Sequence, residues 1–441
     1  MKRSFWVLHA VVLAFVFSNQ SVLRAQEPAP APEKGSVIFI HPDGAGVSAW
    51  AAARLLTVGP DGILNWDRLD HMGLYRGHMK NSMGATSHGG GTSHAFGVKV
   101  HWDSYGMDGT EPLTSLSGKP HSILVEAQEA GFATALVNTG HLAEPGTGVF
   151  AASAPARSAV DEITKQIIEG GTDIILSGGE ILLLPQGVQG KFFFPGIRRD
   201  SLNLIERAEE LGYAVVYSRD ELMALPPDTE KVLGVFAAAH TFSDRSEEVL
   251  QERELSLYAH WAPSVAEMTE AALGFLKASG RPFLLVVEEE GSDNFANQNN
   301  ALGSLTALAR ADEAFGVALD FVEANPETLL ITTADSDAGG LEVYPIRDAD
   351  PLVAEKPLPV TTRNGGALDG RNGTGTPPFM SKPDQFGETW PFGIAWASFD
   401  DNLGGMVAKA HGLNAHLLPK NVDNTDIYRM MYATLFGVWF R

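Results

Sequence analysis

Phe283-Leu284-Leu285-Val286-Val287 is an unbroken apolar run that ends on three acids, Glu288, Glu289 and Glu290. A strand with one wet face alternates apolar and polar residues, so five apolar residues in succession suit a strand covered on both faces. Downstream, residues 301–324 carry Leu305, Leu308, Phe315, Leu319 and Val322 at helical spacing, which makes one face of a helix part of a core. The same alternation runs along the chain. Residues 37–41, 132–138, 172–176, 213–217, 232–236 and 329–333 read as further strands, and residues 159–169, 201–211 and 263–278 as further helices. This pattern predicts an α/β fold, a single domain over residues 35–441 with a mostly parallel central sheet and helices on both faces. Residues 360–385, rich in Gly, Pro, Asn and Asp, read as a long excursion.

The 441 residues include 44% hydrophobic and 20% charged side chains, enough apolar material for a sizeable core and too much for disorder. A formal charge of −22 argues against nucleic acid or an anionic membrane surface as partner. The absence of cysteine removes thiolate metal sites and thiol nucleophiles.

Lys2 and Arg3 followed by an apolar run over residues 5–17 read as a secretory signal, with cleavage expected after Ala25. The run is short for a transmembrane span, so no stable membrane insertion is expected after cleavage. Residues 26–34, with Pro28, Pro30 and Pro32, read as a Pro-rich linker. The expected location is secreted or periplasmic.

In parallel sheets, ligands sit beyond the carboxyl ends of the strands. Polar motifs occupy those places here. His41-Pro42-Asp43-Gly44 follows residues 37–40, where Asp-Gly also suits a plain turn. Ala85-Thr86-Ser87-His88-Gly89-Gly90-Gly91 can open a helix whose N–H groups face an anion, or form a Gly-rich loop. Glu288 follows its strand directly, and Asp293 and Asn297 lie one helical turn apart. Asp335, Ser336 and Asp337 follow residues 329–333, and Asp400-Asp401-Asn402 follows residues 392–398. Carboxylates gathered from four strand ends either splay into water or are held by cations.

Taken in order, these segments resemble the alkaline phosphatase family over residues 35–437. Phe96-Gly97-Val98-Lys99, Pro263-Ser264-Val265-Ala266-Glu267-Met268-Thr269 and Val422-Asp423-Asn424-Thr425-Asp426-Ile427 add to the likeness. The resemblance implies hydrolysis of phosphate monoesters through a phosphoserine, with two zinc ions and one magnesium. It implies Ser87 as nucleophile and Arg157 as the arginine that clamps phosphate. It further implies metal ligation by Asp43, Glu288, Asp293 and Asp335, with Glu144 and a displaced Thr147 beside the magnesium. Three zinc-binding histidines of the family are missing, and Asn297, Ser336 and Asp401 stand in their places.

Those replacements point to oxygen-rich sites, which suit Mg²⁺, Ca²⁺ or Mn²⁺ better than Zn²⁺. One expected site takes Asp293, Asn297 and Asp401; a second takes Asp43, Ser87, Asp335 and Ser336; a third takes Asp43, Glu144, Thr147 and Glu288 and suits Mg²⁺. His88, His94 or His141 could return a nitrogen ligand. The expected partners are small phosphorylated substrates, with room for a homodimer. Two alternatives stay open. Thr86 could serve a phosphodiesterase or pyrophosphatase of the same superfamily, or the chain could bind phosphate or metal without catalysis. A sulfatase is disfavoured, because no Cys or Ser-x-Pro-Ser-Arg segment supplies its nucleophile.

Overall fold

Strand β1 (Ser36–Pro42) is buried along its whole length. Its Val37 and Phe39 enter a core layer with Phe150, Ile163 and Tyr428, while Ile38 and Ile40 enter the opposite layer with Trp50, Leu305 and Phe315. Over residues 37–40 two dry faces leave no position for a polar side chain, which is why this stretch lacks alternation. Each such side chain contributes roughly 1.5–3 kcal/mol through burial.

The computed structural model describes residues 31–346 and 354–440, so the expected signal segment (1–25) and most of the expected linker (26–34) lie outside the described residues. Residues Pro32–Arg441 form one compact unit. Its main sheet adds β2 (His71–Arg76), β3 (Ala133–His141), β4 (Ile174–Gly178), β5 (Ala214–Val216) and β6 (Val232–Val235). It is completed by β7 (Phe283–Glu289), β8 (Thr328–Thr332), β9 (Val407–Gly412) and β10 (Asn421–Asp423). The strand order is β10-β2-β9-β8-β1-β7-β3-β4-β6-β5. From β8 to β5 every neighbour is parallel, so these seven strands end on one edge. Only β9 runs antiparallel, against both β8 and β2.

Helices Val47–Thr57, Val265–Ala278 and Ala301–Ala324 cover one face; Ser87–Phe96, Ile123–Glu129, Val160–Glu169 and Asn424–Phe436 cover the other. The Val265–Ala278 helix starts with a reciprocal cap. Ser264 Oγ accepts from Glu267 N at 3.2 Å, and the Glu267 carboxylate accepts from Ser264 N at 2.9 Å, an arrangement that contributes about 1 kcal/mol. Among the described residues no helix is long and apolar enough to cross a membrane.

Two expectations need correction. The excursion over residues 360–385 contains Leu368–Gly370, Gly373–Thr374 and Phe379–Met380, which join Glu342–Pro345 and Pro391–Ala395 in a separate five-stranded sheet. The residues that lead into the Asp400-Asp401-Asn402 motif, expected to end beside the others, form the strand Pro391–Ala395 of that small sheet rather than a strand of the central one. Asp401 therefore reaches the central sheet's edge from outside it, through a short antiparallel pairing of Asp401–Asn402 with Asp337–Ala338.

Candidate active site

Three adjacent parallel strands put three polar side chains at one level. Glu288 on β7 is in register with His41 on β1 and with Asn138 on β3. One residue past β1 the chain turns at Asp43-Gly44. Gly44 has φ +63°, and a Cβ there would lie 2.5 Å from Ala338 Cβ and 2.6 Å from Asp293 Oδ1, so a side chain would close the site. Asp43 N donates to Glu289 O at 3.2 Å, and Ser292 Oγ donates to Asp43 O at 2.7 Å, fixing the turn to the helix Gly291–Asn297. That helix supplies Asp293 and Asn297. Asp335 follows β8, and Ser87 is the first residue of the Ser87–Phe96 helix.

The Gly-rich run after Ser87 is thus helix rather than loop. A Cβ at Gly90 would lie 2.4 Å from Asp335 Cβ, so the glycine lets this helix approach the carboxylate closely. Ser87 is buried at the start of its helix, close to Asp43. Thr86 Oγ1 instead donates to Trp102 O at 2.6 Å, and lies 3.1 Å from His88 Nδ1.

The carboxylates crowd without enough donors. Both oxygens of Asp43, Asp335 and Glu290, one oxygen of Glu288, His41 Nε2 and Ser336 Oγ are buried without a hydrogen-bond partner. Burial, with Asp43 next in weight, pushes Glu288 up to about 7. Burial and neighbouring carboxylates raise Glu290, Asp293 and Asp335 well above their ordinary range. Burial is the largest influence on Asp43 and opposes its charge, but His41 and the neighbouring polar groups together hold that carboxyl below its usual range. A set this rich in buried anions is expensive unless cations or protons balance it. The donors suit cations: atoms of His41, Asp43 and Glu288 lie within 4.8 Å of one another, as do atoms of Asp43, Glu290 and Asp293.

On the β3 side, Glu144 accepts from Arg157 Nη2 and lies 2.9 Å from His141 Nε2 and 3.8 Å from His240 Nε2. Burial opposes the Glu144 charge, but His141 and Arg157 outweigh it and lower its carboxyl. Arg157 itself is 42% exposed, at the mouth of the cluster. Thr147 Oγ1 accepts from Asn138 Nδ2 at 2.8 Å, and the same amide donates to Glu288 Oε2.

On the opposite side, Asn297 donates to both Asp293 oxygens, at 3.2 and 3.1 Å, and to Asp401 Oδ1 at 3.0 Å. Its oxygen accepts Gly339 N at 3.1 Å. The expected oxygen ligand thus presents its nitrogen to the two carboxylates. His94 is buried with Nε2 2.7 Å from Tyr75 Oη, so that nitrogen is already engaged.

A model of the family described as alkaline phosphatase matches residues 34–435. The chain belongs to the alkaline phosphatase family. Streptomycin-6-phosphate phosphatase of Streptomyces griseus is 27% identical over 412 residues, covering 84% of this chain and 87% of that enzyme. The repressible alkaline phosphatase of Saccharomyces cerevisiae is 28% identical over 355 residues, covering 75% of this chain but only 59% of the yeast enzyme. Among solved structures, the alkaline phosphatase of Thermus thermophilus superposes with a TM-score of 0.72 at 21% identity, covering 97% of this chain and 96% of that one. The enzyme of the Antarctic bacterium TAB5 gives 0.68 at 17%, covering 92% and 100%. A variant of the TAB5 enzyme is described with Mg bound in its M3 site.

Against the family pattern, the structure brings Asp43, Ser87, Glu288, Asp293, Asp335, Ser336 and Asp401 around one cleft, with Glu144, Thr147 and Arg157 beside them. His41, Glu290, Asn138 and His240 join them without having been singled out in sequence. Glu290 lay hidden in its acidic run. His41 becomes legible only once β1 and β7 are paired in register.

Proposed function

We propose that this chain is a metal-dependent phosphomonoesterase that transfers the phosphoryl group to Ser87 and then to water, releasing inorganic phosphate. The observation that carries this reading is Ser87 at a helix N-terminus, facing a buried ring of carboxylates that lack donors. Asp43, Asp335, Asp293, Asp401, Glu288, Glu290 and Glu144 would hold divalent cations, Mg²⁺ at the Glu288 side with Ca²⁺, Mn²⁺ or Zn²⁺ elsewhere. Such cations neutralise the phosphoryl oxygens and the attacking and leaving oxygens of an in-line displacement.

The chain's own residues supply the rest. Asp43 and Asp335 would hold the cation that activates the Ser87 hydroxyl, and the start of its helix aims Oγ at the entering phosphorus. The Ser87–Phe96 helix directs its N-terminal dipole at the phosphate. Glu144 holds the Arg157 guanidinium by one nitrogen, leaving the planar group positioned for two phosphoryl oxygens. As Ser87 Oγ loses its proton to solvent and bonds to phosphorus, the bond to the leaving oxygen breaks and that oxygen takes up a proton; water then attacks the same phosphorus, the bond to Ser87 Oγ breaks with return of its proton, and inorganic phosphate leaves. Thr86, whose hydroxyl is committed to Trp102, is poorly disposed for the diesterase role. A signal segment over residues 1–25, export to the periplasm or medium, and a catalytic domain over 35–441 complete the reading.

The test compares a chromogenic phosphate monoester with its diester, using chelator-stripped and metal-replete protein. Monoester turnover that needs metal and exceeds diester turnover is expected. Preferred turnover of the diester, or phosphate binding without turnover, would replace the reading.

A further inference from the structure

The family pattern places its imidazole ligands where this chain has Asn297, Ser336 and Asp401. We infer that the chain supplies an imidazole from strand β1 instead, with His41 Nε2 ligating the cation held by Asp43 and Asp335. The inference rests on the reading of this cleft as a metal-dependent phosphatase site.

The geometry fixes both ring nitrogens. Nδ1 is 2.8 Å from Thr333 O, and a carbonyl can only accept, so Nδ1 carries hydrogen and donates. A metal-binding histidine is commonly oriented by this kind of bond through its second nitrogen. Nε2 is then directed into the carboxylates, 3.2 Å from Asp43 Oδ1 and 3.7 Å from Asp335 Oδ1. The ring is fully buried, and Nε2 has no hydrogen-bond partner. A neutral Nε2 would point its lone pair at carboxylate oxygens, which is repulsive unless a cation lies between them. Register adds a third donor, because Glu288 sits beside His41 on the paired strand.

The other nitrogen sources are less suited. His94 Nε2 is engaged by Tyr75, and the Nδ1 atoms of His141 and His240 are buried without the second-nitrogen bond that orients a ligand. On the Asp293–Asp401 side, Asn297 presents N–H rather than a lone pair. The site with His41 therefore combines one nitrogen with carboxylate oxygens, a donor set open to Zn²⁺, Co²⁺ or Mn²⁺ as well as Mg²⁺. This departs from the all-oxygen expectation drawn from the three missing histidines.

The experiment loads stripped full-length protein with one equivalent of Co²⁺ and records proton NMR in H₂O and D₂O. A ligating His41 gives a solvent-exchangeable, hyperfine-shifted N–H resonance from its Nδ1 proton. The resonance should be lost in His41→Gln and kept in His141→Gln, each checked for folding by circular dichroism. Its absence from the wild type, or its loss in His141→Gln with retention in His41→Gln, would overturn the inference; the wild-type result needs no variant to fold. Monoester turnover is measured on the same protein after excess Mg²⁺ and Co²⁺ are added to fill the remaining sites. Turnover without the resonance rejects His41 and keeps the phosphatase; the resonance without turnover keeps His41 as a ligand and rejects the phosphatase.

Discussion

Asn297 turns the nitrogen of its carboxamide, not the oxygen, toward Asp401: Nδ2 lies 3.0 Å from Asp401 Oδ1, while the amide oxygen is taken by Gly339 N. The same nitrogen bonds Asp293, so a neutral donor bridges two carboxylates that the family pattern would join through a metal. Asn297→His exchanges that donor for an imidazole lone pair between two acids. The variant should hold Zn²⁺ at the Asp293–Asp401 side more tightly than the wild type and so keep more of it, read by metal analysis after dialysis against a chelator. Equal zinc content would mean that the Asp293–Asp401 side cannot be opened by this exchange.

How far the sequence reveals this arrangement depends on whether the relevant contacts are local. The helix over residues 301–324 is legible to the residue, because its periodic apolar face needs no partner to be recognised. The buried strands at 37–41 and 283–287 are legible from their unbroken apolar runs, which are equally local. Strand β2 is not, because Met72 and Leu74 are 62% and 57% exposed and its pattern mixes apolar with polar residues. β10 is three residues long and exists through its pairing with β2. The carboxylates could be named from their positions after strands, whereas His41 and the reversed Asn297 amide depend on strand register and on one distant backbone N–H.

Arg157 is held by Glu144 and stands at the mouth of the cluster. Lysine can keep the charge but cannot offer two parallel N–H groups. Arg157→Lys should weaken inorganic phosphate inhibition and raise KM together, by roughly 10- to 100-fold, about 1.4–2.8 kcal/mol. Thermal stability should stay close to wild type. Unchanged phosphate inhibition would remove Arg157 from the site.

Glu247 offers a stability test away from the chemistry. Its Oε1 accepts Leu302 N at 3.0 Å, but Oε2 is buried without a partner. Burial first, and Asp369 second, push this carboxyl from its ordinary 4.5 up to about 8. Between these values the unfolded chain releases the proton while the folded one keeps it, so stability falls as pH rises through that window. Glu247→Gln should therefore matter little near pH 4 and stabilise increasingly toward pH 8, by up to roughly 4 kcal/mol. Denaturant midpoints measured across that range check it; a constant difference between variant and wild type would contradict it.

Removal of metal should loosen the cleft as well as stop turnover. Asp43, Asp335, Glu288 and Glu290 would then balance their charge by taking protons or drawing in water. Restoring a divalent cation should raise the melting temperature, and the rise should grow with cation concentration, as mass action on the folded state requires. Scanning calorimetry of stripped protein titrated with Mg²⁺, Mn²⁺ or Zn²⁺ reads this directly. A melting temperature indifferent to all three would show that the carboxylate ring is not a cation site.

The claim on which the rest depends is that Ser87, held beside Asp43 at the start of its helix, carries the phosphoryl group. Metal-replete enzyme is mixed with a phosphate-labelled monoester, quenched in acid during turnover, digested and mapped. The account predicts label on Ser87, absent from stripped protein and from Ser87→Ala, with turnover in that variant reduced by at least about 10³-fold. Label on Thr86, or turnover with no labelled peptide and an unimpaired Ser87→Ala variant, would contradict it.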